Sequence, residues 1–117
     1  MIFFTYETAL ESLRDEVYKD AVEHGLWNAI EHQAQNIYGS VPESETTIRR
    51  QLAADRIASE VAELREAAIS KTHFEEELAD VIIMALSVAG HFGIDIGEAV
   101  EKKRLVNKSR SYEHEGE

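Results

Sequence analysis

Residues 72–92 read THFEEELADVIIMALSVAGHF, and this stretch decides the fold class. Its apolar side chains recur every three or four residues, the spacing of one face of an α-helix, at Phe74, Leu78, Val81, Ala85, Val88 and Phe92. Thr72 is predicted to cap this helix at its start and Gly93 to end it. The apolar part is interrupted by Asp80 and is shorter than the roughly 20 residues of a membrane span, so we interpret it as a core helix.

The same helical period continues through most of the chain and predicts an all-α fold of four helices. The other three are predicted over Thr5–Glu23, over Glu45–Ala68, and from Asp95 onward, where Asp95 and Glu98 have the spacing of a capping box. Residues 26–43 are interpreted as a connection that can hold a short helix. We expect one domain over residues 1–117, with a flexible tail over 113–117.

The composition narrows the classes of function. The formal net charge is −11, so binding to nucleic acid or to an anionic membrane is not expected. There is no cysteine, which excludes disulfides, thiolate metal sites and thiol nucleophiles. The first residues lack the basic start of a signal peptide, and we therefore expect a cytoplasmic protein.

Two pairs of carboxylates stand out from the solvated acidic faces. Glu77 and Asp80 are three residues apart on the third predicted helix, and Glu60 and Glu63 have the same spacing beside the apolar stripe of the second. If these two helices pack antiparallel across their short link, all four carboxylates converge. Such a cluster requires a compensating cation, and oxygen ligands favour Mg²⁺, with Mn²⁺ as the alternative.

Three alternatives to a magnesium site are open for these acids. The pairs can be ordinary exposed acids neutralised by Arg56 and Arg65. Asp80 can be paired with a lysine or arginine of another helix. A di-iron centre is disfavoured, because bundles of that type use Glu-x-x-His and no histidine here follows a glutamate at that spacing.

The ordered set of motifs resembles the MazG-like members of the all-α nucleoside triphosphate pyrophosphohydrolases. The set comprises Ser59–Glu66 (SEVAELRE), Glu76–Ile82 (EELADVI) and Asn107–Tyr112 (NKSRSY). The resemblance implies a four-helix bundle completed by oligomerisation, as a homodimer or homotetramer. It also implies Mg²⁺-dependent hydrolysis of a nucleoside triphosphate to the monophosphate and pyrophosphate, with Glu60, Glu63, Glu77 and Asp80 as metal ligands. Removal of deoxy or non-canonical nucleotides, a house-cleaning role, is the expected purpose.

Further residues receive roles within this interpretation. Glu63 is the preferred general base for the attacking water. A basic face on the last helix is predicted to bind the phosphates through Lys103, Asn107, Lys108 and Arg110. Trp27 and Tyr112 are the candidates for contact with the nucleoside, with core filling an equal alternative for Trp27. The competing hypothesis is a non-catalytic acidic bundle that binds a partner, as antitoxin-like modules do, and it places the acids on exposed faces instead of in a cleft.

Overall fold

The computed structural model describes residues 5–39 and 46–110, and all regular secondary structure in these ranges is α-helical. The all-α prediction is therefore confirmed for the described part of the chain. That part contains five helices where four were predicted: α1 (Tyr6–Glu23), α2 (Leu26–Tyr38), α3 (Thr46–Ser70), α4 (Phe74–His91) and α5 (Ile96–Lys108).

The additional helix is α2, which lies in the segment interpreted from sequence as a connection. Gly25 adopts a left-handed conformation with φ of 81°, so the chain turns after α1 and starts a new helix at once. Trp27, Ile30 and Ala34 then recur at helical spacing and are all buried. The short segment is helical because these side chains supply the centre of the core.

The main core lies where α2 packs on α3, with α1 and α4 closing over it. Its buried residues are Trp27, Ile30, Ala34, Leu52 and Ala53, and its partly buried neighbours are Tyr18, Ala21, Leu26, Ile48, Val88 and Phe92. At its edge the Arg49 guanidinium donates to both carboxylate oxygens of Glu31, over 2.8 and 2.7 Å. This ion pair joins α2 to α3 and lowers the pKa of Glu31.

α3 and α4 form a helical hairpin, and they share the most extensive contact between any two described helices. The link is Lys71–His73, in which Lys71 and His73 both have positive φ. Thr72 is not the N-cap of α4, because His73 occupies that position. The His73 imidazole lies 3.4 Å from the Glu76 carboxylate. The antiparallel arrangement expected from the short link is the one that brings the two acidic pairs together.

α5 packs mainly against α1, which it approaches closely at Gly97. A Cβ at Gly97 would lie 2.3 Å from the Glu7 carbonyl oxygen, so only glycine fits this crossing. Asp95 is the N-cap of α5, as predicted, but its side chain makes no capping hydrogen bond. Its carboxylate lies 3.7 Å from the Arg14 guanidinium instead, which accounts for the difference.

Several residues of the predicted core stripes are exposed in this single chain. In the hairpin these are Phe74 and Leu78, which belong to the predicted stripe of α4, and Val61, which belongs to that of α3; Ile69 and Ile82, outside the stripes, are exposed too. α4 was interpreted as a core helix, but Phe74, Leu78, Ile82 and Ile83 on it are 43–50% exposed in this chain. No single described helix is long and apolar enough to cross a membrane, and only α4 and α5 taken together, bent by 118°, reach that combined length and apolarity.

Candidate functional site

Three carboxylates from the two arms of the α3–α4 hairpin meet in one small volume. Oxygen atoms of Glu60, Glu77 and Asp80 all lie within 4.8 Å of one another. Glu60 comes from α3, whereas Glu77 and Asp80 lie one turn apart on the same side of α4. We call Glu60, Glu63, Glu77 and Asp80 the carboxylate cluster.

Glu63 joins the other three through its proximity to Glu60 and Glu77. Burial raises the pKa of Glu60 first of all, and the nearby charges of Glu63, Asp80 and Glu77 raise it further. Glu77 has a raised pKa for the same reasons, with loss of solvent as the largest cause and the charges of Glu63 and Asp80 next. The structure therefore brings together all four carboxylates singled out from the sequence, at an electrostatic cost to the folded chain.

One oxygen of this cluster lacks a partner. Glu77 Oε2 is buried, and no hydrogen-bond donor of the described residues reaches it. A buried carboxylate oxygen without a donor is unfavourable unless a cation or a proton takes its place. This atom, with the oxygen-only donor set around it, fits a hard divalent cation such as Mg²⁺.

The two neutralisation alternatives find no support among the described residues. Neither Arg56 nor Arg65 forms a salt bridge with Glu60 or Glu63, and no described lysine or arginine forms one with Asp80. Asp80 belongs to the helix that was interpreted as a core helix, but it is exposed in this chain. Its need for a partner comes from the neighbouring carboxylates, not from burial.

A cavity of about 300 Å³ adjoins the cluster on the side of α2. Polar groups dominate its lining, which consists of Gln33, Leu52, Asp55, Arg56, Ser59, Glu60, Glu63 and Met84. A second, more open recess of about 420 Å³ lies toward the hairpin link and includes Glu63, Glu77 and His73. Glu63 thus borders the space on both sides of the cluster, and a ligand of extended shape can contact it from either side.

The basic face of α5 does not join the cluster within this chain. α5 packs mainly on α1, whereas the cluster belongs to α3 and α4. In the part of the chain described, no hydrogen bond or salt bridge connects Lys103, Asn107, Lys108 or Arg110 with any cluster carboxylate. Asn107 has a buried side-chain oxygen that no described donor reaches. The phosphate-binding role of these four residues stays a prediction.

The two aromatic candidates have different outcomes. Trp27 lies on α2 and not in a loop, with 8% of its surface exposed. Its indole N–H donates to Ser87 Oγ over 3.0 Å, and its ring stacks on His91. This packing favours the core-filling alternative for Trp27. Tyr112 lies outside the described residues.

Sequence reasoning missed the polar residues that line the cavity. Gln33 was hidden in the segment interpreted as a connection, and Ser59 was noted only as part of a motif. Ser59 Oγ donates to the Asp55 carbonyl over 3.1 Å, one turn earlier on α3. Arg56 was considered only as a partner for the acids, although its position one turn before Glu60 was a signal that it shares their face.

Comparison with known proteins gives a partial match. The chain is similar to the dATP/dGTP diphosphohydrolase of Cyanophage S-2L, with 37% identity over 57 residues. The match covers 49% of this chain and 52% of the relative, so the chain spans about half the length of the curated relative that it matches. No protein-family model matches the chain. No solved structure matches it either.

Proposed function

We propose that this protein hydrolyses nucleoside triphosphates to the monophosphate and pyrophosphate with the help of divalent metal ions. One observation carries the proposal: four carboxylates from two helices converge beside a polar cavity, and one of their buried oxygens has no described partner. The partial similarity to a protein named as a dATP/dGTP diphosphohydrolase supports the same activity. The purine deoxynucleoside triphosphates are therefore the first substrates to test.

The carboxylate cluster would hold the metal. Oxygen atoms of Glu60, Glu77 and Asp80 lie within 4.8 Å of one another, close enough to act together as ligands of one hard divalent cation. Mn²⁺ suits the same ligands. A bound divalent ion supplies Lewis-acid polarisation, which neutralises phosphate charge and makes a coordinated water more acidic.

Glu63 is the proposed general base. It lies at the edge of the three closest carboxylates and borders the space on both sides of them. A carboxylate in this position can orient a water and accept its proton as the water attacks the α phosphorus. Glu60, Glu77 and Asp80 would hold the divalent ions that offset the phosphate charge, and the pyrophosphate departs on the side of the phosphorus opposite that water.

A homodimer or homotetramer is proposed as the active assembly. Its support is the exposed apolar face of the hairpin, where Leu78 and Ile82 are 43% and 50% exposed one turn apart on α4. A contiguous apolar surface of this kind is typical of an interface. Within this proposal the protein is a cytoplasmic, single-domain enzyme that removes deoxy or non-canonical nucleotides.

The proposal is tested by incubating the purified protein with dATP, dGTP, other canonical triphosphates and modified triphosphates, with and without Mg²⁺. Release of pyrophosphate and monophosphate only with the metal supports the proposal. Absence of hydrolysis for every nucleotide and for both Mg²⁺ and Mn²⁺, in folded protein, would favour the non-catalytic partner-binding module. That alternative places the acids on exposed faces; Glu63 and Asp80 are exposed in this chain, whereas Glu60 and Glu77 are partly buried and the cluster borders a cavity.

A further inference from the structure

Arg56 is a cation that lines the same cavity as Glu60 and Glu63 of the carboxylate cluster. It lies on α3 one turn before Glu60. Side chains four residues apart on a helix have Cβ atoms about 5–6 Å apart, so both groups reach one small volume. Among the residues described as lining this cavity, Arg56 is the only one with a positive charge.

Among the described residues Arg56, like Arg50, Arg65 and Arg110, forms no salt bridge with a carboxylate. Arg14, Arg49 and Arg104 each form a salt bridge with a carboxylate. The Nη2 of Arg56 instead donates to Gln33 Oε1 over 3.4 Å. This bond is long and its acceptor is neutral, while the guanidinium offers five N–H donors. Most of the donor capacity of Arg56 therefore remains available to a ligand in the cavity.

The chemistry of this position suits a phosphate group. Carboxylates repel phosphate oxygens, and metal ions neutralise only the oxygens that they contact. A guanidinium matches a phosphate through two parallel N–H···O bonds and keeps its charge at any physiological pH. The basic residues of α5, which packs mainly on α1, form no hydrogen bond or salt bridge with the cluster among the described residues. Arg56 is thus the cation already in place at the cavity.

We propose that Arg56 binds a phosphate oxygen of the nucleotide in this cavity, and that Gln33 orients its guanidinium. The inference rests on the proposed function, because the ligand is the nucleoside triphosphate. It assigns to Arg56 contact with the phosphate chain and no part in recognising the base. The loss of Arg56 should therefore weaken the binding of every nucleoside triphosphate by the same factor.

The test measures binding, not turnover. Titration calorimetry with Mg²⁺ compares the wild type, Arg56→Gln and Arg56→Lys, using the non-hydrolysable α,β-methylene analogues of dATP, dGTP and dCTP. A charged hydrogen-bond pair of this type predicts a loss of about 10- to 100-fold for Arg56→Gln, equal for the three bases. Arg56→Lys keeps the positive charge but cannot form the two parallel hydrogen bonds of a guanidinium, so it should lose less affinity than Arg56→Gln. Arg65→Gln is the matched control, since Arg65 is exposed further along α3.

The outcomes separate this inference from the proposed function. Wild-type protein that binds no analogue overturns both. Wild-type protein that binds, with Arg56→Gln binding equally well, overturns the inference alone. A loss confined to one base assigns Arg56 to base recognition and also overturns it. Thermal melting checks that the variants fold. If Arg56→Gln does not fold, Arg56→Lys decides, because unchanged affinity for all three analogues would contradict the paired hydrogen bonds that the proposal assigns to the guanidinium.

Discussion

The indole of Trp27 stacks on the imidazole of His91, with ring centroids 3.8 Å apart and planes 2° from parallel. Tyr18 and Phe92 meet the same imidazole edge-on. The stack joins α2 to the end of α4 and explains why the segment with the single tryptophan is a helix. It also places an ionisable ring against the core, where partial removal of solvent lowers the pKa of His91.

The half-buried imidazole predicts a loss of stability in mild acid. Because the folded-state pKa lies below the ordinary value of 6.5, the unfolded chain binds more protons between these two values. The contribution of His91 to stability is therefore complete above about pH 6.5 and is lost as the pH falls through the folded-state pKa. Urea unfolding between pH 7.5 and pH 5 should show that the free energy of unfolding falls less steeply toward acid pH in His91→Gln than in the wild type. The control His32→Gln, at an exposed position, should have the same pH dependence of stability as the wild type. If His91→Gln also has the wild-type pH dependence, His91 is not the cause of the acid loss.

The carboxylate cluster predicts the opposite pH trend. The folded-state pKa of Glu60 is raised, so its contribution destabilises the metal-free fold as the pH rises through that value and vanishes below the ordinary 4.5. In EDTA, Glu60→Gln should be more stable than the wild type at pH 8 and equal to it below about pH 4.5. Added Mg²⁺ should stabilise the wild type more than this variant. Glu16→Gln, on the exposed side of α1, is the control, and a variant less stable than the wild type at pH 8 would refute electrostatic repulsion as the cause.

Asp80→Asn separates catalysis from folding. The amide removes one anionic ligand while keeping the size of the side chain, and hydrolysis should fall by more than about 100-fold. Because Asp80 is exposed and only adds repulsion to the cluster, the melting temperature without metal should stay the same or rise. Pyrophosphate release and thermal melting measure the two effects. Asp20→Asn on α1 should change neither, and wild-type turnover in Asp80→Asn would remove Asp80 from the metal site.

The exposed apolar face of α4 predicts an interface between copies. Ile82 is half exposed, so a glutamate at this position is tolerated by the single chain but places a charge within any interface there. Ile82→Glu should shift the mass measured by sedimentation toward that of one chain. Val22→Glu introduces the same charge at a similarly exposed position of α1. An unchanged mass in Ile82→Glu alone would move the interface to another face.

Gly97 predicts a steric limit at the crossing of α1 and α5. A methyl group there meets the Glu7 backbone, which cannot rotate away as a side chain can. Gly97→Ala should therefore lower the free energy of unfolding by about 1–3 kcal/mol, despite the better helix propensity of alanine. Denaturant unfolding measures the change. Asn28→Ala, at an exposed position of α2, should stay within about 0.5 kcal/mol, and a stabilised Gly97→Ala would show that the two helices separate easily.

The helical class and the composition of the carboxylate cluster could be predicted from the sequence because both depend on local spacing. The three-to-four-residue period of apolar side chains defines α1, α3, α4 and α5 within a few residues. The i, i+3 spacing places Glu60 beside Glu63 and Glu77 beside Asp80 on any helix that includes them. The link of three residues between α3 and α4 leaves almost no arrangement other than a hairpin, so the convergence of the two pairs follows from the chain itself.

Only the tertiary structure decided what each helix packs against. α2 is a core helix because Trp27 finds Ser87 and His91 on α4, far away in sequence. Asp80 is exposed although its helix contacts both α1 and α3. α5 packs mainly on α1, and Gly97 leaves room for the close approach of the two helices. Arg56 borders the cavity together with Gln33 of α2, which accepts a hydrogen bond from it. Local spacing fixes the face on which a side chain lies, but its neighbours depend on contacts between distant segments, which no local pattern contains.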